Sequence, residues 1–69
     1  MAAARTVTER IRGRVLEIEI GEAEGIGWFA VGIVTDGLPH ETGLRFEAAA
    51  ASRDDAEARL KAEIEAYFA

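Results

Sequence analysis

The stretch Ser52-Arg53-Asp54-Asp55-Ala56-Glu57-Ala58-Arg59-Leu60-Lys61-Ala62-Glu63-Ile64-Glu65-Ala66-Tyr67-Phe68-Ala69 decides the fold. Ser52 is placed to cap a helix, its hydroxyl accepting from the amide of Asp55. Asp54 and Asp55 complement the positive end of the helix dipole. One apolar stripe runs through Ala56, Leu60, Ile64, Tyr67 and Phe68, at the spacing of a single helical face. Glu57–Lys61 and Arg59–Glu63 are spaced i,i+4 and flank that stripe. Such a helix needs an apolar surface to lie on, and the rest of the chain reads as strands.

Working back from the helix, Leu44 to Ala50 alternates, with Leu44, Phe46 and Ala48 on one side and Arg45 and Glu47 on the other. Asp36-Gly37-Leu38-Pro39-His40-Glu41-Thr42-Gly43 is a turn. Trp28 to Thr35 is apolar on both faces, which marks a central strand. Phe29, Val31 and Ile33 form its bulkier face, and Trp28, Ala30, Gly32 and Val34 the other. Gly21-Glu22-Ala23-Glu24-Gly25-Ile26-Gly27 is a glycine-rich turn. From Ile11 to Ile20, Leu16, Ile18 and Ile20 share one face while Glu17 and Glu19 share the other. Gly13, and the break in alternation where Val15 meets Leu16, suggest a bulge.

The expected fold is therefore α+β: a three-stranded antiparallel β-meander with one C-terminal helix packed on one face, in the order βββα. Residues 1–10 are expected to be a flexible basic segment, and residues 11–69 a single domain. The helix is expected to meet Leu16, Ile18, Ile20, Phe29, Val31, Ile33, Leu44 and Phe46. Glu17, Glu19, Trp28, Val34, Arg45 and Glu47 are then left on the uncovered face.

Composition narrows the functional classes. A 69-residue chain of this kind buries only about 60% of its unfolded surface, so a single small core carries its stability. There is no cysteine, which removes disulfides and thiolate zinc sites and fits a reducing, cytoplasmic setting. No apolar run approaches the length of a membrane span, and the N-terminus lacks the apolar core of a signal peptide. The formal net charge is −5. Residues 1–14 hold four arginines against Glu9, and residues 15–69 hold four basic against twelve acidic residues. An acidic body disfavours direct binding to nucleic-acid phosphates and suits a basic protein partner.

Catalytic signatures are missing. His40 is the only histidine, in a Pro39-His40-Glu41 turn with no second ligand at metal-binding spacing. Ser52 has a cap to make and no histidine beside it to activate it as a nucleophile. The glycines around Gly25 and Gly27 lack the lysine and following helix of a phosphate loop. Neither enzymatic activity nor a cofactor or metal is expected.

Two readings of the uncovered face stay open. Trp28 either closes one end of the core or serves as an exposed anchor. The carboxylates Glu17, Glu19, Glu22 and Glu24 either form a solvated face or compete for a site built to hold phosphates. Same-face strand residues lie about 6.6 Å apart, from a ~3.3 Å rise per residue, close to the phosphate spacing of a nucleic-acid strand. The partner-binding candidates are Glu17, Glu19, Trp28 and Glu47.

The β-β-β-α order resembles the HicB-like antitoxin domain, which has a partial double-stranded-RNA-binding-like fold. Thr35-Asp36-Gly37-Leu38-Pro39 after the central strand and the closing helix from Ser52 to Phe68 carry the resemblance, over about residues 13–69. The chain departs from that family in two ways. Leu44 to Ala50 intervenes between turn and helix, and the DNA-binding segment that usually follows is not expected here. The short, acidic, cysteine-free profile is also similar to that of phage anti-CRISPR proteins. These resemblances imply a bacterial or phage inhibitor acting by binding, with a nuclease or nucleic-acid-binding complex as partner. The alternative is a homodimeric accessory module whose uncovered sheet face packs on its twin.

Overall fold

The computed structural model describes residues 5–25 and 27–69. Four strands form one antiparallel sheet, β1 (Arg5–Ile11), β2 (Arg14–Glu22), β3 (Trp28–Asp36) and β4 (Arg45–Ala50), followed by α1 (Arg53–Tyr67). The spatial order is β1-β2-β3-β4, a simple meander with β1 and β4 as its edges. The fold is α+β with one C-terminal helix, as the alternation predicts, but with four strands rather than three.

The additional strand comes from the segment expected to be a flexible tail. From Arg5 onwards the chain pairs with β2, Arg5 opposite Ile20 and Ile11 opposite Arg14. Arg12 and Gly13 form the two-residue hairpin loop, with φ of 52° and 81°. Two consecutive left-handed residues define the turn whose twist matches a β-hairpin. Gly13 belongs to this turn. The expected bulge falls where the alternation breaks, with the register shift between Val15 and Leu16. Residues 1–4 lie outside the described residues.

Ser52 caps α1 as expected, its Oγ accepting from the Asp55 amide at 3.2 Å. Ala56, Leu60 and Ile64 are buried on the sheet side of the helix. Their partners on β2 are Leu16, Ile18 and Ile20, all buried. On β3 the expected phase is inverted. Ile18 lies opposite Gly32 and Ile20 opposite Ala30, and residues opposite one another in an antiparallel pair share a face. The helix therefore covers Ala30, Gly32 and Val34, while Phe29, Val31 and Ile33 stay on the open face.

The reason is separation. A Cβ built on Gly32 would lie 3.3 Å from Ile64 Cδ1 and 3.5 Å from Leu60 Cδ2. Two large helix side chains fill the space over the central strand, so that strand must present small residues there. Phe46 and Ala48 of β4 face the helix as expected and pack against the core.

One ion-paired cluster closes the far end of the core. Arg14 donates from Nε to Glu41 Oε1 at 3.0 Å and from Nη2 to Oε2 at 2.6 Å. Glu41 also accepts from the Leu38 amide at 3.1 Å. The Arg14 guanidinium stands 4.2 Å over the Phe68 ring, a cation–π arrangement. This one pair links the first hairpin to the β3–β4 loop and to the end of the helix. Arg14 thus lies on the core side of an internal strand.

Candidate protein-binding face

The sheet surface away from α1 is organised in rows set by the strand register. Thr8, Glu17, Ile33 and Arg45 form one row, and Thr6, Glu19, Val31 and Glu47 the next. Gly21, Phe29 and Ala49 form a third. The apolar side chains of β3 make a strip down the middle. Val31 stands between Glu19 and Glu47, and Ile33, 39% exposed, between Glu17 and Arg45. Thr6, Glu17, Glu19, Val31 and Ile33 line one shallow depression. Phe29, Val31, Glu47 and Ala49 are on the walls of another. An apolar strip rimmed by charge has the composition of a protein interface.

Glu17 and Glu19 are exposed and neighbour one another along β2, as expected. Glu47 shares their face and accepts from Arg45 Nε at 2.8 Å, with both side chains exposed to water. An exposed pair of this kind is easily exchanged for a partner's charge.

Trp28 is not on this face. Its position opposite Glu22 and Ala50 places it with Ala30 on the helix side, where it packs against the core as a half-buried residue. Of the two readings of Trp28, the structure places it at one end of the core. Phe29, Val31 and Ile33 take its place as the apolar component of the open face. The inverted phase of β3 hides them from pattern reading. The signal in the sequence is the small residue Gly32 in the middle of an otherwise bulky strand, which marks close approach of another element.

The remaining candidates separate from this face. Glu41 is buried, and its bidentate hydrogen bonds from Arg14 pull its carboxyl down to about 2 from an ordinary 4.5. Lys61 bridges Glu57 at 3.1 Å and Glu9 of β1 at 3.3 Å, and these partners raise its ammonium above its ordinary value. Arg59 does not reach Glu63; its guanidinium extends to the Ala49 carbonyl at 3.5 Å. His40 is exposed in the β3–β4 loop. Among the described residues no three histidine or carboxylate side chains gather as a metal-binding group. Among them, too, no helix is long and apolar enough to cross a membrane.

No protein-family model matches the chain, and neither a curated protein nor a solved structure matches it.

Proposed function

We propose that this protein is a non-enzymatic inhibitor or regulator that binds another protein through its uncovered sheet face. The observation that carries this reading is the strip Phe29-Val31-Ile33, left open by the helix and rimmed by Glu17, Glu19 and Glu47. Apolar contact would supply affinity at the centre of the strip. The carboxylates around it would select a basic partner and steer its approach. A basic surface that ordinarily holds nucleic acid fits this pattern, and covering it would block access by phosphates. The resemblances to HicB-like antitoxins and to anti-CRISPR proteins point to the same role. The three glutamates weigh against self-association through this face, which would bring two acidic rims together.

The test is capture of a partner from bacterial lysate, followed by competition. Wild-type protein is expected to retain a basic, nucleic-acid-binding protein and to release it as salt is raised. Added nucleic acid should displace it. Glu17→Lys with Glu19→Lys should abolish capture without changing the fold. Capture that survives both reversals, or a captured protein that still binds nucleic acid fully, would overturn the proposal.

A further inference from the structure

The geometry points to a second interface, at the sheet edge and sharing Arg45 and Glu47 with the rim of the open face: the β4 edge pairs with β4 of a second copy about a twofold axis at Phe46. Gly43, with φ of 94°, donates to the Val34 carbonyl at 2.8 Å, while the Val34 amide donates to Leu44 at 3.0 Å. This is a glycine bulge at the start of β4, and it sets the phase of the strand. Hydrogen-bonded pairs alternate along an antiparallel ladder, so Phe46, Ala48 and Ala50 turn their backbone groups towards β3. Arg45, Glu47 and Ala49 turn theirs outwards. Ala49 is partly screened by Arg59, whose guanidinium lies 3.5 Å from its carbonyl. Arg45 and Glu47 present the free part of the edge, a template for another strand.

Five twofold registers are available to a strand with these outward residues, and charge separates them. Placing the axis at Arg45 sets Arg45 against Arg45 of the second copy, and placing it at Glu47 sets Glu47 against Glu47. An axis at Ala48 sets Glu47 against Ala49, and one at Ala49 sets Ala49 against itself, so neither brings opposite charges together. With the axis at Phe46, Arg45 lies opposite Glu47 of the other copy, and Glu47 opposite its Arg45. Each pair would exchange both backbone hydrogen bonds, and opposite charges directly across a ladder stabilise it. The arrangement is isologous and closes as a dimer.

The helix side of the same seam is aromatic. Phe46 would meet its own copy at a non-hydrogen-bonded pair, where side chains approach most closely. Tyr67 packs edge-on against Phe46 at 5.3 Å between centroids and remains 61% exposed. The twofold would bring a second Phe46–Tyr67 pair beside it. The other edge has no such complement: β1 carries Arg5 and Arg10, and its one carboxylate, Glu9, is held by Lys61. The paired sheets would form one continuous eight-stranded surface with two open faces on the same side.

Light scattering on a sizing column tests this directly. Wild-type protein at high concentration is expected at twice 7.4 kDa. Arg45→Glu and Glu47→Arg should each run as monomers with native circular dichroism spectra, because only an exposed pair is lost within the chain. Mixing these two variants should give a one-to-one dimer, since each then supplies the charge the other lacks. The double exchange Arg45→Glu with Glu47→Arg should restore the homodimer. A monomeric wild type at the highest attainable concentration would overturn the proposal. Dimeric single variants, or a monomeric double exchange, would overturn the register. Glu17→Lys with Glu19→Lys should remain dimeric, so failure of the open-face reading and failure of this one are separable.

Discussion

The two faces of β3 differ in a way that inverts the usual association of bulk with burial. Beneath the helix its covered face carries Ala30, Gly32 and Val34, with Trp28 only at the strand's end, and its open face carries Phe29, Val31 and Ile33. On the covered side the volume comes from the helix, through Leu60 and Ile64, and from Leu16 and Ile18 of the neighbouring strand. The central strand contributes space. On the open side nothing comes from outside, so the strand's own side chains form the surface. Bulk on a strand marks a buried face only when the opposing element is distant or small. Here the opposing element is close, and the bulky face is the one left free to bind.

Substitutions on the two faces should therefore separate stability from binding. Leu60→Ala removes a fully buried side chain and is expected to destabilise the fold by about 2–5 kcal/mol. In a domain held by about 3–5 kcal/mol, that leaves much of the protein unfolded at room temperature, as circular dichroism would show. Gly32→Val pushes methyl groups into Ile64 and Leu60, and overpacking of this kind costs about 1–3 kcal/mol. A Gly32→Val protein that melts like wild type would break the contrast, because the covered face would then have room to spare.

The next effect is on pH dependence. Glu41 titrates at about 2 in the folded protein and 4.5 ordinarily. A lowered folded-state value means the Arg14–Glu41 contribution is complete above pH 4.5 and is lost as pH falls through about 2. Denaturant midpoints measured across that window should fall, and Glu41→Gln should flatten the fall while lowering the plateau. Ser52→Ala removes the cap and is expected to cost about 1 kcal/mol. Ile33→Thr on the open face should change stability by no more than about 0.5 kcal/mol, yet weaken partner capture in the same assay.

The helix was legible in the sequence because Ser52, Ala56, Leu60 and Ile64 combine a cap with one clear period. Leu16, Ile18 and Ile20 were legible because polar residues separate them. β1 was not, since Thr6, Thr8 and Arg10 outnumber Val7 and Ile11, and an edge strand half-covered by the helix needs few apolar residues. Its turn was hidden too, because Arg12 adopts a left-handed conformation that L-residues rarely take. The phase of β3 was ambiguous because both faces are apolar, and register across the sheet settled it. That ambiguity displaced Trp28 from the candidate face while leaving Glu17, Glu19 and Glu47 on it. Arg14 and Glu41 stand 27 residues apart, and no local pattern connects them.

The measurement that bears most directly on the open face is made at Val31, at the centre of the strip. Val31→Lys sets a cation between Glu19 and Glu47, where cross-strand attraction supports the fold, and it removes both the apolar centre and the local acidity. Melting and capture of the lysate partner should be recorded on one preparation. The expected result is a melting temperature close to wild type with capture lost. Unimpaired capture by a folded Val31→Lys protein would contradict the assignment of binding to this face.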